Sequence, residues 1–234
     1  MHRLAAMFDL GFLDRPKTQG NARLRSAHTI YSLGRKGAEF LAKNREEREG
    51  FMRRVREITK SLPLIAHASM ISQFRVCLML ALKKRPDIKL TRWIQGNDLK
   101  VALTARGRST SLVPDAFFTL DDGHGAVNCF FEADRGNMST TIFVKKLKIY
   151  WSWKDDQRVK DALHITRFRV LTITSTEGRA ESLRVAGKQG DPRGAGSLMF
   201  LFAPETQYSI GKPDAILGTM WKSPKDDAPH SIIE

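Results

Sequence analysis

The acidic residues best placed to do chemistry are Asp115, Glu132 and Asp134, which flank a glycine-containing turn between two apolar runs. Such a turn predicts an antiparallel hairpin. If Leu120 faces Val127 across the turn, the same register places Asp115 opposite Glu132, with Cβ atoms about 5 Å apart. Asp134 follows Glu132 by two residues, so its side chain points to the same face of the strand. The hairpin is therefore predicted to bring three carboxylates together.

Three carboxylates on one face need something to neutralise them. Like charges that face each other across strands destabilise a sheet, and apolar neighbours increase the cost because the charges are desolvated. A divalent cation removes that cost, and Mg²⁺ takes one or two carboxylates together with phosphate oxygens and water. We therefore predict a Mg²⁺ or Mn²⁺ site at Asp115, Glu132 and Asp134, suited to phosphodiester chemistry. In the alternative interpretation, Asp115 or Asp134 pairs with Arg135 or another cation.

The elements around the hairpin predict a layered α/β domain. An apolar helix over residues 61–85 is expected to pack on a sheet through Phe74 and Leu78. Arg179 is expected to be a surface arginine, or else to hold a phosphate, and Trp221 is expected to anchor a tail rich in Pro and Asp. Strands are predicted at 88–94, 100–105, 111–120, 127–134, 168–175 and 198–203, and helices at about 138–153 and 176–186.

Pro114–Asp115, a strand, and then Glu132–Ala133–Asp134 resemble the motif of the PD-(D/E)xK nuclease superfamily. The resemblance implies that the Asp and Glu bind metal and that a lysine two residues after the Glu acts on the phosphate. This sequence departs from the motif, because Asp134 occupies the lysine position. Some members carry the lysine on the following helix, where Lys145 or Lys146 could serve and Lys148 is a weaker choice. Lys146 shares a helical face with Tyr150.

Four segments in order, LVPDAFFTL, FFEADRG, KKLKIYW and FRVLTITSTEGR, resemble the replication-relaxation family of bacterial plasmids and mobile elements. The resemblance extends over about residues 4–205. It implies a winged-helix module coupled to a nuclease-like domain, with a role in plasmid replication and DNA relaxation.

The N-terminal segment carries its own resemblance. Helical apolar spacing around Leu4, Met7 and Phe8 ends at Gly11, and a strand at 28–33 precedes a helix at 34–42. RLAAMFDLGFLDR followed by IYSLGRKGAEFLA resembles the recognition helix, wing and closing helix of bacterial winged-helix proteins. The resemblance implies a helix in the major groove and a wing on the phosphates. The expected DNA contacts are Arg3, Arg23, Arg25, Arg35 and Lys36.

The winged helix in this sequence is partial, because its first two helices would lie before Met1. Either the chain is a fragment or Met1 is an internal start. The alternative is a helical hairpin that only packs against the rest of the chain. A charged helical linker is expected over 43–60. The chain is therefore expected to consist of the partial winged helix (1–42), this linker (43–60), the α/β domain (61–212) and a tail (213–234).

Composition sets the class of partner. The 234 residues contain 39 Lys and Arg against 25 Asp and Glu, a formal charge of +14, which attracts phosphate polymers. A soluble basic protein with no specific partner is the alternative. No apolar run is long enough to suggest a membrane span, and the two cysteines form neither a disulfide framework nor a zinc site. The bacterial cytoplasm is the expected location.

We therefore expect an α/β protein with a partial winged helix and a restriction-endonuclease-like domain, whose mixed sheet is flanked by helices. The expected function is binding of double-stranded DNA in plasmid or mobile-element replication or relaxation. The first alternative is an active Mg²⁺-dependent endonuclease or nickase with Asp115, Glu132, Asp134 and Lys146 as catalytic residues. The second is an inactive platform for a relaxase or replication initiator.

Overall fold

The computed structural model describes residues 2–17, 29–104 and 110–233. The chain divides into two compact units, residues 1–69 and residues 70–234. Arg23 and Arg25, two of the expected DNA contacts, lie outside the described residues.

The first unit contains three complete helices, the start of a fourth, and a two-stranded antiparallel sheet among its described residues. Helix α1 (His2–Asp9) leads into strand β1 (Leu13–Asp14), which pairs with β2 (Ser32–Leu33). Helix α2 (Arg35–Leu41) follows directly, and α3 (Arg45–Ile58) begins at Asn44, whose side chain accepts a hydrogen bond from the Glu47 amide. The first helix and the helix predicted at 34–42 are thus confirmed as elements, whereas the strand predicted at 28–33 is present at Ser32–Leu33 and absent from the described residues 29–31.

Two glycines make the close packing of the first unit possible. Gly11 adopts a φ of +79°, which favours glycine and lets the chain turn from α1 into β1. Gly37 lies so close to the residue before β1 that an added Cβ would come within 2.2 Å of the Phe12 carbonyl oxygen. Helix α2 can therefore lie against the Phe12 backbone only with glycine at this position.

The second unit is built on a seven-stranded mixed sheet. Its strands, in spatial and chain order, are β3 (Lys89–Gln95), β4 (Ala116–Asp121), β5 (Ala126–Asp134), β6 (Arg169–Thr174), β7 (Phe200–Pro204), β8 (Trp221–Lys222) and β9 (Pro229–His230). Strands β5, β6 and β7 run parallel, and all other neighbours are antiparallel. The three parallel strands end on the same side of the sheet, and we call this side its carboxyl edge.

One face of the sheet is covered by the part of α4 (Leu62–Lys83) that belongs to the second unit, from Met70 on. Phe74 stacks on Phe131 with ring centroids 4.1 Å apart, and both Phe74 and Leu78 are fully buried, which confirms their predicted direction. Trp221 is also fully buried in this core, and its indole nitrogen donates to the Ile216 carbonyl. Its predicted role as an anchor is confirmed, and the tail that carries it adds β8 and β9 to the sheet.

The other face is covered by four helices, whose apolar side chains join Phe117 and Phe130 in a second core. They are α5 (Gly96–Thr104), α6 (Thr140–Trp153), α7 (Gln157–Leu163) and α8 (Glu177–Ala186). Alternation along β5 places Glu132 and Asp134 on the same face as Phe130. The two acids therefore point toward the α6 side of the sheet.

Two sequence expectations about individual helices are wrong. Residues 100–104, expected as a strand, belong to α5, because Leu99 and Leu103 are spaced one helical turn apart and both are buried in the second core. The expectation that no apolar run is long enough to suggest a membrane span is also wrong, because α4 meets the criterion by length and composition alone. A core helix meets the same criterion, and α4 packs Phe74, Cys77 and Leu78 against the sheet.

Candidate carboxylate site

The hairpin of β4 and β5 has the predicted register. Leu120 pairs with Val127, and the ladder continues to Ala116 opposite Phe131. Asp115 immediately precedes this last pair, and its Oδ2 accepts a hydrogen bond of 2.8 Å from the Ala133 amide. The Asp115 carboxylate thus reaches the β5 backbone beside Glu132.

Glu132 is the centre of the site. It is only 3% exposed, yet each carboxylate oxygen has a partner from α6. Lys146 Nζ donates to Oε2 and the Tyr150 hydroxyl donates to Oε1, and both donor–acceptor distances are 2.5 Å. The helical spacing of Lys146 and Tyr150 lets both reach one carboxylate, as their predicted common face requires. Of the three lysines considered on this helix, the structure brings Lys146 to Glu132, whereas Lys145 and Lys148 are exposed.

Burial dominates the electrostatics of Glu132. The net pKa of the Glu132 carboxyl is raised to about 7: burial raises it most, the charge of Asp115 also raises it, and Lys146 and Tyr150 lower it. Burial, together with the neighbouring Glu132 charge, also raises the pKa of Tyr150 well above its usual value. The Tyr150 phenol is therefore a hydrogen-bond donor at neutral pH, and Glu132 changes protonation state close to that pH.

Asp134 has a different partner. Its carboxylate receives the Arg179 guanidinium from α8, with Nε 2.6 Å from Oδ2 and Nη2 3.4 Å from Oδ1. The two side chains are 6% and 15% exposed, so the pair is largely buried. Arg179 is therefore not the surface arginine expected from the sequence. The pairing matches the alternative in which a cation other than Arg135 neutralises Asp134.

A buried hydroxyl completes the surroundings of Glu132. Thr172 lies on β6 directly across from Glu132, on the same face of the sheet, and is 0% exposed. Among the residues that the structure describes, its Oγ1 has no hydrogen-bond partner. A buried polar atom without a partner is costly, so this position is suited to a polar ligand or a bound water.

The acids do not form a single three-residue ligand set. Within the described ranges, no three His, Cys, Asp or Glu side chains form a group that could hold a metal ion. The two carboxylates at the hairpin end, Asp115 and Glu132, are nevertheless neighbours, although Lys146 and Tyr150 already bond both oxygens of Glu132. Two carboxylates are what Mg²⁺ commonly takes from a protein, and the partnerless Thr172 hydroxyl adds polar capacity. The residues present therefore fit one divalent cation.

The expected DNA contacts that the structure describes are on the surface of the first unit. Arg3 is exposed on α1, and Arg35 and Lys36 are exposed in the first turn of α2. The Arg35 side chain is 81% exposed and forms an ion pair with Glu39, which has a second partner in Arg48. Nearby, the Arg15 guanidinium lies 4.2 Å from the centroid of Phe8 and bonds the Tyr31 hydroxyl, which ties the two sides of the β1–β2 connection together.

Sequence reasoning did not find the roles of Arg179 and Thr172. The available signal was topological: both residues are on or just after β6, a parallel neighbour of β5, and carboxyl ends of parallel strands lie at one edge. A site at this edge collects residues from elements that are distant in the chain.

The fold and the site together define a mixed α/β protein with a buried acidic site, bonded by a lysine and a tyrosine, near the carboxyl edge of its sheet. Residues 1–162 match the model of the replication-relaxation family, so the chain belongs to that family. Membership indicates a role in plasmid replication or relaxation. Neither the curated proteins nor the solved structures give a match. The matched residues include Asp115, Glu132, Asp134 and Lys146, whereas Arg179 lies beyond them.

Proposed function

We propose that the protein binds double-stranded DNA in the bacterial cytoplasm during plasmid or mobile-element replication or relaxation. The formal charge of +14 supports a polyanionic partner. The first unit acts as a partial winged helix, with α1 in the major groove and the β1–β2 connection on the phosphates. Arg3, Arg23, Arg25, Arg35 and Lys36 make the contacts.

The second unit, in this proposal, is a restriction-endonuclease-like domain with a Mg²⁺ or Mn²⁺ site. The observation that supports this proposal is that Glu132 is buried, accepts a hydrogen bond from Lys146 and lies beside the Asp115 carboxylate. Asp115 and Glu132 would hold the ion, with Asp134 behind them. A bound divalent ion supplies charge neutralisation and activates water for phosphodiester hydrolysis.

The role of Lys146 follows from its position. Its ammonium group stabilises the Glu132 carboxylate in the free protein, and its side chain is 20% exposed, so its charge can also reach a phosphate. A lysine on the helix after the hairpin thus serves where Asp134 occupies the usual lysine position. The exposed Lys145 has no such contact with Glu132.

Incubation with supercoiled plasmid tests the nuclease proposal. With Mg²⁺ or Mn²⁺, the wild type is expected to give open-circle or linear product. Lys146→Ala should abolish this product but leave the metal-dependent rise in melting temperature, whereas the matched control Lys145→Ala should retain both. If the wild type gives neither product nor a metal-dependent rise in melting temperature, the nuclease proposal fails and the DNA-binding proposal remains.

A second candidate is an inactive platform for a relaxase or replication initiator. The observation that favours it is that Glu132 and Asp134 each have a cation from the chain itself, in Lys146 and Arg179. This candidate expects DNA binding with no metal response. The plasmid experiment distinguishes the two, because only the nuclease proposal requires a divalent ion.

A further inference from the structure

Arg179 makes contacts with three separate parts of the chain. Its Nε donates to Asp134 at the end of β5, and its Nη2 donates to the Met138 carbonyl at a distance of 2.6 Å. Its Nη1 donates to the hydroxyl of Thr140, the first residue of α6, at a distance of 3.1 Å. One guanidinium therefore binds the end of the strand, the connection after it and the start of the next helix.

These contacts matter because the candidate site is divided between the same two elements. Strand β5 carries Glu132, and α6 carries Lys146 and Tyr150. The 2.5 Å contacts among these residues require a fixed placement of the helix relative to the strand. The only covalent link between the two elements is the short connection over residues 135–139, and Arg179 binds it at both ends.

We propose that Arg179 is a positioning residue of the carboxylate site. By binding Asp134, Met138 and Thr140 together, it holds Lys146 against Glu132. Asp134 then contributes to the site through Arg179 and is not itself a metal ligand. This inference rests on the proposed function only in treating Glu132 as a residue with a chemical role. The Arg179 contacts that support it do not involve a metal.

Arginine is suited to this role and lysine is not. A guanidinium presents five N–H donors in a rigid plane, whereas an ammonium group concentrates its donors on one nitrogen. Arg179→Lys therefore keeps the positive charge beside Asp134 but cannot reach all three acceptors. The substitution separates the charge of Arg179 from its bridging geometry.

The readout is the chemical accessibility of Lys146. Wild type and variants are acylated briefly with an amine-reactive ester in the absence of metal and DNA, and labelling at each lysine is measured by mass spectrometry. Lys145 and Lys148, exposed on the same helix, serve as internal references. Lys146 should be strongly protected in the wild type. In Arg179→Lys its labelling relative to Lys145 should rise several-fold, and Arg179→Ala should raise it at least as much.

The matched control is Arg184→Lys. Arg184 is on the same helix, its side chain is 13% exposed, and it bonds Glu181 and the carbonyls of Ser223 and Asp226, away from Glu132. Its substitution should leave Lys146 protected even where it lowers the melting temperature. If Arg179→Ala does not fold, the comparison of the two lysine variants decides. Lys146 protection in Arg179→Lys equal to the wild type would overturn the proposal, as would equal loss of protection in Arg184→Lys.

The same variants separate this inference from the proposed function. If wild-type protein shows no metal-dependent rise in melting temperature but Arg179→Lys exposes Lys146, the positioning role stands and the metal proposal fails. If the metal raises the melting temperature of both the wild type and Arg179→Lys equally, with Lys146 still protected, the positioning role fails and the metal proposal stands.

Discussion

Removing the Lys146 ammonium tests the charge pair at the centre of the site. Lys146→Met keeps much of the apolar stem but leaves Glu132 buried without its cation. Removing one partner of a buried ion pair costs about 3–5 kcal/mol when the remaining charge persists. Glu132 has an alternative, because it can take up a proton. The cost should therefore depend on pH.

The direction of this dependence follows from the pKa of Glu132. In the wild type that pKa is about 7, with Lys146 lowering it against burial. Loss of Lys146 raises it further, so above pH 7 the variant keeps a proton that the wild type releases. The destabilisation should be nearly constant below pH 6 and then grow by up to about 1.4 kcal/mol per pH unit above 7.

Urea unfolding at pH 6, 7 and 8 measures the effect through the free energy of unfolding. The control Lys145→Met, at an exposed position on the same helix, should change stability by no more than about 0.5 kcal/mol at each pH. The double variant Lys146→Met with Glu132→Gln should lose the pH dependence, because no titrating group is left in the pair. A destabilisation by Lys146→Met that is the same at pH 6 and pH 8 would refute the reasoning.

Four further predictions concern other parts of the chain. Asp115→Asn should raise the melting temperature of the metal-free protein, because it removes the like charge near Glu132 while the amide oxygen still accepts the Ala133 hydrogen bond. Added Mn²⁺ should then raise the melting temperature of the wild type but not that of the variant. Leu78→Ala should lower the free energy of unfolding by about 2–5 kcal/mol in urea titration, because Leu78 is fully buried. Alanine at both Arg23 and Arg25 should weaken binding to all DNA sequences and flatten its salt dependence in titrations at several ionic strengths. Cys129, whose pKa burial raises to about 12, should resist iodoacetamide at pH 8 in native protein and react after unfolding.

Each of these predictions has a contradicting result. A lower melting temperature for Asp115→Asn together with no metal response in the wild type would support a purely structural role for that carboxylate. An unchanged urea midpoint for Leu78→Ala would conflict with the packing of α4 on the sheet. Unaltered affinity and salt slope in the double arginine variant would remove the β1–β2 connection from the DNA contact, and rapid native alkylation of Cys129 would conflict with its burial.

The hairpin register was predictable because the glycine-containing turn and the apolar runs around it are local. Once Leu120 faces Val127, the pairing of Ala116 with Phe131 follows from strand geometry alone. The helical phase of Lys146 and Tyr150 was equally accessible, since helix spacing determines which residues share a face. The segment at 100–104 was misassigned because short apolar runs fit both periods, and only burial of Leu99 and Leu103 against the sheet decides between them.

The sequence by itself determined the basic charge, the acidic hairpin and the helix that carries Lys146, because composition and short-range periodicity are properties of neighbouring residues. Only the tertiary structure decided which partner each acid receives. Glu132 is bonded by α6, whereas Asp134 is bonded by Arg179, which is 45 residues further along the chain. That choice depends on the parallel crossover from β5 to β6, which brings the start of α8 to the carboxyl edge of the sheet. Local patterns carry no information about such a distant contact, because it exists only when the whole sheet has formed.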